Sequence, residues 1–329
     1  YWDAINLIEH ALQIVSAEFD PWDWSMFGCE APGDRNGLTS LISAVQDFEN
    51  NPFVEYYRAE VLPWLAKEPC DLLGISMVYT SQLIPGLALA ALAKKQNPKL
   101  RVVAGGNSIS RVTQALTGTT SWLPFTDYVV YSEGELALLR LVQALESGSQ
   151  TFDEVPNVRF FSATEGKVIE SPLHIEDLDS HPTPDFSHLS LDSYLSPTPV
   201  ITLDVTRGCY WGKCAFCSYG VSDKILKAYR ERSPDRIIDD LRTLGKAYGV
   251  SHYLFSVDVL SPAFVRKLSR RLLDEKLSIR WMGDMRLESV IDDQLSQLMS
   301  SSGCRFISSG LETASQRVQD WMDKGTDQS

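Results

Sequence analysis

Three cysteines that lie within nine residues are the part of this sequence best suited to chemistry. Cys209, Cys214 and Cys217 have a CxxxxCxxC spacing, in a loop that reads Arg-Gly-Cys-Tyr-Trp-Gly-Lys-Cys-Ala-Phe-Cys and follows the apolar run at 200–205. Three thiolates this close together can hold three corners of one 4Fe-4S cluster. The fourth iron would have no protein ligand, and an open coordination position is what a catalytic metal site needs.

Three other interpretations of these cysteines stay open at this point. A structural zinc site needs further ligands, but the sequence has no second CxxC pair and no HxxxH pair. A plant-type 2Fe-2S ferredoxin begins with the same spacing, and Cys304 would be its fourth ligand, although a strand–helix context does not suit that small fold. Packing alone can bury cysteines, but it seldom gathers three of them in a loop that contains glycine. We expect Cys29, Cys70 and Cys304 to be ordinary buried residues.

The overall composition narrows the classes of partner and compartment. The 329 residues carry a formal net charge of −13, which argues against a nucleic acid bound through its phosphates. The longest apolar stretch, 83–93, is interrupted by Pro85 and Gly86 and is too short to span a bilayer, and no secretory signal precedes it. Six cysteines are too few for a disulfide scaffold in a chain of this length. We therefore expect a cytoplasmic protein of two domains that is cut at both ends from a longer one.

The order of apolar runs predicts a doubly wound α/β domain in the first half of the chain. Residues 1–68 are expected to form a helical segment without strands, since the apolar residues at its start have helical spacing. Over 69–150, short apolar strands alternate with helices, which predicts a parallel, Rossmann-like sheet that binds its ligand at the carboxyl ends of the strands. Residues 151–198 are rich in proline and are expected to be a linker with one small hairpin within 158–170.

Residues 199–329 predict four strand–helix units, which form the beginning of a (β/α) barrel. The first helix has Ser233 in position to cap it, Pro234 as its first residue and Gly249 as its stop. Another helix is expected over 288–302. The later strands are expected at 253–257, 279–282 and 304–309.

The cysteine loop, placed directly after a strand, is similar to that of the radical S-adenosylmethionine (radical SAM) superfamily, and more narrowly to its cobalamin-binding members. This resemblance covers about 200–326, and a second resemblance, to the cobalamin-binding domain that precedes the radical core in this subfamily, covers 69–150. The commonest superfamily spacing is CxxxCxxC, so the additional residue between Cys209 and Cys214 is a departure. Cobalamin-type members that resemble this loop show the same longer spacing.

The resemblance implies S-adenosylmethionine contacts for four residues outside the cysteines. Asp258, in Phe-Ser-Val-Asp after the second barrel strand, stands where the family meets the amino group of the methionine moiety. Arg286, after the third strand, is a candidate partner for the methionine carboxylate. Glu312, in Gly-Leu-Glu-Thr after the fourth strand, resembles the residue that contacts the ribose, and Phe216 resembles the aromatic residue beside the adenine.

For the first domain the resemblance implies a cobalamin site. Ser76 and Thr80 stand where a hydroxyl can bond the nucleotide tail, and Gly105 and Gly106 let a backbone approach closely. The DxHxxG motif that supplies a histidine ligand to cobalt in many cobalamin proteins is absent, and His10 is the only histidine before residue 151. We therefore expect cobalamin to be bound without a histidine ligand.

The resemblance implies an enzyme that cleaves S-adenosylmethionine to a 5′-deoxyadenosyl radical and uses cobalamin to methylate an unactivated centre of a peptide or other natural product. One alternative function is that of relatives that rearrange or cyclise their substrates. Two others are a cobalamin-binding or electron-transfer module without radical chemistry and a zinc-stabilised scaffold. The expected partners are a small-molecule or peptide substrate and an external electron donor such as flavodoxin or ferredoxin. The sequence identifies neither the substrate nor a catalytic residue beyond these cofactor contacts.

Overall fold

The structure is a computed structural model, and it divides into two compact units, residues 1–175 and 176–329. The division falls inside the stretch that the sequence predicts as a linker, 151–198. Among the described helices, none combines the length and the apolar character that crossing a bilayer requires. The structure describes residues 2–20, 22–26, 28–30, 38–68, 70–115, 125–149, 151–162, 165–194, 196–217, 229–255 and 258–327.

The first residues of the chain form helices and one small hairpin. The prediction of helix at the start is right, but the prediction that this segment has no strands is wrong, because two three-residue strands pair in antiparallel fashion. Strands this short show no useful alternation of apolar and polar residues. Trp22 and Phe53 pack edge to face at 5.9 Å beside them. The elements are α1 (Trp2–Glu18), β1 (Asp23–Ser25), β2 (Gly28–Glu30), α2 (Leu38–Gln46), α3 (Phe53–Tyr56), a π-helical turn (Tyr57–Val61) and α4 (Leu62–Lys67).

The first unit is built on a five-stranded sheet. Its strands, in their order across the sheet, are β3 (Leu72–Ser76), β4 (Arg101–Gly105), β5 (Tyr128–Val130), β6 (Val158–Ser162) and β7 (Lys167–Glu170). The first three are parallel, and the last two continue the sheet as an antiparallel hairpin. This hairpin belongs to the sheet rather than to a linker, because Val158 and Phe160 are buried in the same core as Tyr128.

Helices cover both faces of this sheet. Ile84 of one helix packs with Ala104 of β4, whereas Ala137 and Leu141 of another helix pack with Val103 of the same strand. Since neighbouring residues of a strand point to opposite faces, these two helices lie on opposite sides. The doubly wound arrangement predicted for this domain is thereby confirmed. The helices are α5 (Leu83–Gln96), α6 (Asn107–Ala115) and α7 (Glu135–Glu146).

The second unit contains a four-stranded parallel sheet, and each of its strands is followed along the chain by a helix. The strands are β8 (Ile201–Leu203), β11 (His252–Phe255), β12 (Arg280–Asp284) and β13 (Cys304–Ser308), and their order across the sheet is β13-β12-β11-β8. A separate short ribbon pairs β9 (Thr206–Arg207) with β10 (Arg230–Glu231). The core of the second unit is mostly aliphatic and includes an aromatic pair, Phe255 stacked on Trp281 at 5.5 Å. The predicted partial barrel is confirmed.

Helix ends in the second unit follow their capping residues. Ser233 accepts from the backbone N–H of Arg236, and Gly249 ends the same helix in the left-handed region, as predicted. The helix predicted from residue 288 begins later, because Asp292 caps it by accepting from the N–H of Leu295 at 2.7 Å. The helices are α8 (Pro234–Tyr248), α9 (Pro262–Asp274), α10 (Asp293–Ser301) and α11 (Gln316–Trp321).

A buried ion pair fastens the start of the second unit to α8. Asp240 is fully buried and lies 3.0 Å from Nε of Arg232, which is also buried. The other carboxylate oxygen of Asp240 accepts from the hydroxyl of Thr183 at 2.6 Å. A buried charge is tolerated only when it is paired and hydrogen-bonded, so these three residues depend on one another.

We expect Asp240→Asn to lower the free energy of unfolding by about 3 kcal/mol, because it removes the buried carboxylate that pairs with the buried Arg232. The control is Asp239→Asn on the same helix, where the side chain is 66% exposed and its ion pair with Arg242 is only at 4.0 Å. That change should cost less than about 0.5 kcal/mol. Urea unfolding followed by circular dichroism measures both, and equal losses would show that the buried pair contributes nothing special.

Candidate functional site

The cysteine loop begins at the carboxyl end of β8, at the edge of the sheet where ligands of parallel α/β sheets bind. Its start is held by two contacts. The backbone N–H of Gly208 donates to Oδ2 of Asp258 at 2.7 Å, and Arg207 pairs with Asp204 at 3.0 Å. Asp258 therefore positions the loop through one of its carboxylate oxygens. The two residues before it, 256 and 257, belong to the predicted Phe-Ser-Val-Asp segment and lie outside the described residues.

The three cysteines lie together on this loop as free thiols. Cys214 is only 9% exposed, Cys209 and Cys217 are half-buried, and the N–H of Cys217 donates to the carbonyl of Cys214 at 3.1 Å. Burial raises the pKa of Cys214, whereas the nearby cations of Arg286 and Lys324 oppose that rise and the other two cysteines add to it. Three thiols that share one loop beside two cations are a donor set that fits an anionic iron–sulfur cluster.

Cys304 lies at the first residue of β13, whereas the cysteine loop leaves the carboxyl end of β8. In a parallel sheet, the amino ends and the carboxyl ends of the strands lie on opposite sides, so Cys304 is not placed to be a fourth ligand. Burial raises the pKa of Cys304 to about 11. Cys29, Cys70 and Cys304, which were expected to be ordinary buried residues, are half-buried.

Arg286 is enclosed by protein groups on several sides. The residue is 8% exposed, its Nε lies 2.9 Å from Oε1 of Glu288, and its Nη2 donates to the carbonyl of Lys324. Two residues of the cysteine loop cover it, with the guanidinium carbon 4.8 Å from the ring centre of Trp211 and 6.0 Å from that of Tyr210. A methionine carboxylate at this place would have to share the guanidinium with Glu288 and the Lys324 carbonyl.

The loop tyrosine joins the same group of contacts. The hydroxyl of Tyr210 donates to Oε1 of Glu288 at 3.1 Å. Burial and the charge of Glu288 raise the pKa of Tyr210, so its proton stays in place for this bond. Because Glu288 precedes α10 instead of starting it, its side chain is available to Arg286 and Tyr210 together.

Glu312 and Phe216 both lie next to Lys324. Glu312 has a φ of +63° and accepts from Nζ of Lys324 at 3.1 Å, and the same Nζ lies 5.9 Å from the ring centre of Phe216. The Phe216 side chain is 53% exposed, as a residue that stacks on a ligand would be before binding. Lys324 is 7% exposed, and the sequence reasoning missed it because it lies in no motif and follows a helix that looks ordinary.

In the first unit, small residues leave one face of the edge strand uncovered. Gly74 and Ser76 of β3 are exposed, and Gly105 is the pairing partner of Ser76 on β4. A Cβ atom added to Gly105 would come no closer than 3.7 Å to its nearest neighbour, a carbonyl oxygen, so the protein leaves room there. Thr80 is exposed at the start of a short turn after the same strand.

Gly106 has a different reason to be glycine. Its φ is +99°, and a Cβ atom would lie 2.5 Å from the carbonyl oxygen of Met77. The neighbouring Ser108 donates its N–H to that carbonyl at 3.1 Å and its hydroxyl to the carbonyl of Val78 at 2.9 Å. The close approach that Gly106 allows in this structure is therefore between two loops of the protein.

These elements define an α/β protein with a three-cysteine loop at the carboxyl edge of a partial parallel barrel. Residues 203–329 match the family model of the radical SAM superfamily. The chain is 30% identical over 304 residues to a protein of Pyrococcus horikoshii named an uncharacterized methyltransferase, covering 89% of this chain and 64% of that one. It is 28% identical over 267 residues to the anaerobic magnesium-protoporphyrin IX monomethyl ester cyclase of Rubrivivax gelatinosus, covering 78% and 46%.

The fold is also similar to that of a solved structure, OxsB, described as a cobalamin-dependent S-adenosylmethionine radical enzyme with aqua-cobalamin and S-adenosylmethionine bound. The TM-score is 0.63 at 20% identity, and the match covers 82% of this chain and 39% of OxsB. This similarity concerns the fold. The chain spans about half to two thirds of the length of the two curated relatives.

In the cluster-free chain, we expect iodoacetamide to alkylate Cys214 more slowly than Cys217 at pH 8. Burial hinders access to Cys214, and its raised pKa leaves less thiolate at this pH, so its rate should keep increasing above the usual thiol range. Cys217 is the control because it is half-buried on the same loop. Timed alkylation with peptide mass spectrometry gives both rates, and a Cys214 rate equal to that of Cys217 would contradict the burial.

Proposed function

We propose that this chain is the radical-generating part of a cobalamin-dependent radical SAM enzyme, with Cys209, Cys214 and Cys217 as the ligands of a 4Fe-4S cluster. The observation that carries the proposal is the single loop that presents three thiols at the carboxyl edge of a parallel sheet, next to two buried cations. Three cysteine ligands leave one iron of such a cluster open. Bound there, the cluster supplies the electron that cleaves S-adenosylmethionine to a 5′-deoxyadenosyl radical.

The residues around the loop support a site for S-adenosylmethionine. Asp258 holds the loop through one oxygen and is proposed to meet the amino group of the methionine moiety. Glu312, which is exposed and paired with a lysine, is proposed to bind the ribose hydroxyls, and the exposed Phe216 to stack beside the adenine. Arg286 is proposed to bind the methionine carboxylate while it keeps its ion pair with Glu288 and its bond to the carbonyl of Lys324.

The open face of β3 supports a cobalamin site in the first unit. A large flat ligand needs a surface without protruding side chains, and Gly74, Ser76 and Gly105 provide one at the carboxyl ends of two parallel strands. Ser76 and Thr80 offer exposed hydroxyls for the nucleotide tail. The one histidine in residues 1–150 is His10, on α1, so we propose that the cobalt receives no histidine ligand from this unit. When bound, cobalamin supplies a carrier for a methyl group.

Methyl transfer to an unactivated centre of a peptide or other natural product is the activity we propose, in line with the relative named a methyltransferase. A second candidate, cyclisation without methyl transfer, is favoured by the similarity to the relatives named monomethyl ester cyclases. Either reaction needs an external one-electron donor of the flavodoxin or ferredoxin kind. Free thiols and an iron–sulfur cluster suit the reducing cytoplasm, where we propose that the protein works.

Anaerobic reconstitution with iron and sulfide tests the cluster. We expect about four irons per chain and, after reduction, an electron paramagnetic resonance (EPR) signal that shifts when S-adenosylmethionine is added. Cys214→Ala should abolish the signal, whereas Cys304→Ala, which removes a half-buried cysteine at the other edge of the sheet, should keep it. A chain that takes up only zinc, or a cluster that does not respond to S-adenosylmethionine, would refute the proposed enzyme.

Gly105→Leu tests the cobalamin face. A Cβ atom has room at this position, and we expect the larger side chain to extend over the open face, so that cobalamin affinity falls at least about tenfold with little change in stability. Gly28→Leu is the control, because Gly28 is an exposed strand glycine of the same unit with nothing within 4 Å of an added Cβ. Equilibrium dialysis measures the affinities. Equal affinity in both variants would contradict the proposed site, and an EPR spectrum of the Co(II) form whose nitrogen splitting changes when histidine is labelled with nitrogen-15 would contradict the absence of a histidine ligand.

A further inference from the structure

Trp211, in the middle of the cysteine loop, is attached to the last described segment of the chain. Its indole Nε1 donates to the carbonyl of Asp323 at 2.7 Å. The ring lies so close to Gly325 that a Cβ atom there would be 2.0 Å from it, and Gly325 has a φ of +67°. Only glycine fits under the indole at this position.

A second bond ties the same two segments together on the other side of Cys214. The backbone N–H of Ala215 donates to the carbonyl of Met322 at 2.8 Å. The segment 322–325 is therefore held before and after Cys214 in the loop, by a side chain at one point and by the backbone at the other. We call these two bonds, with the contact between Trp211 and Gly325, the Trp211 clasp.

The clasp fixes the position of a buried cation. The side chain of Lys324 is 9% exposed, and its Nζ lies between Glu312 at 3.1 Å and the ring of Phe216 at 5.9 Å. The carbonyl of Lys324 accepts from Arg286, so the backbone of this residue is fixed as well. Lys324 thus lies beside Ala215 and Phe216, the two loop residues that separate Cys214 from Cys217.

The negative charge of Glu312 does not cancel the effect of the Lys324 charge on the loop. The Glu312 side chain is 36% exposed, so water screens its charge more than that of the lysine. Lys213 provides a contrast. It is adjacent to Cys214 in sequence and its Nζ lies 4.7 Å from the ring centre of Trp211, but it is exposed to solvent. Equal charges at these two places should therefore have unequal effects on a buried group.

We propose that the Trp211 clasp holds Lys324 beside Cys214 so that its charge stabilises the reduced form of the cluster and raises the cluster's reduction potential. The inference rests on the proposed function, in that it requires the cluster to be bound. Reduction transfers one electron from a one-electron donor to the cluster, with no bond made or broken, and the cluster gains one negative charge. A fixed cation in a site of low exposure favours that more negative state. Trp211 acts as a positioning residue, through Lys324.

The test is an EPR-monitored redox titration of the reconstituted chain with dithionite and mediator dyes, without S-adenosylmethionine. For Lys324→Gln and Lys324→Met we expect about a tenfold lower ratio of reduced to oxidised cluster at a given potential, which is about 59 mV to the negative side for a one-electron couple. Lys324→Arg, which keeps the charge, should retain the wild-type potential. Lys213→Gln is the matched control, and it should change the ratio less than about twofold.

Trp211→Phe tests the clasp itself. It keeps an aromatic ring against Gly325 but loses the bond to the Asp323 carbonyl, so we expect a shift in the same direction that is smaller than that of Lys324→Gln. An unchanged potential in cluster-bearing Lys324→Gln, or an equal shift in Lys213→Gln, would overturn the inference while leaving the proposed function intact. If the wild-type chain assembles no four-iron cluster, the proposed function fails and the inference falls with it.

Discussion

The burial of one guanidinium group is the constraint on which the site in the second unit depends. Arg286 is almost inaccessible to water, and a buried charge is stable only where hydrogen bonds and counter-charges replace the lost hydration. Three separate stretches meet this need: Glu288 supplies the carboxylate, Lys324 supplies a carbonyl, and Tyr210 and Trp211 supply aromatic faces. The cysteine loop and the last described segment are thus ordered around the same cation.

Local patterns in the sequence predict the parallel strands and the helix ends. Buried parallel strands are apolar throughout, and capping residues such as Ser233 act within their own turn, so both are visible without tertiary information. The hairpin of β1 and β2 was missed because three-residue strands leave no periodicity. The placement of β6 and β7 in the first sheet was missed because pairing with β5 is a tertiary contact that no local pattern encodes.

The candidate site, too, contains some residues that local sequence patterns predict and others that they do not. The spacing of the three cysteines is local, and it predicted their grouping. Lys324 was not predictable, because its relevance arises from side-chain contacts with Glu312, twelve residues before it, and with Phe216 in the cysteine loop. Gly106 stays a predicted ligand contact, but its positive φ and the carbonyl of Met77 beside it already require glycine at this position. The open face around Gly105 is a different feature, and only the structure separates the two adjacent glycines.

The locality of the three cysteines also has a consequence for chain entropy. Gathering three thiols from one stretch of nine residues closes only short loops, whereas the bond between Trp211 and Asp323 joins residues that are 112 positions apart. Loop-closure entropy grows with the logarithm of loop length, so the long closure costs about 2 kcal/mol more than the short one. The thiols can therefore come together in a chain that has not finished folding, whereas the contact of Trp211 with Asp323 forms only when distant parts of the second unit have met.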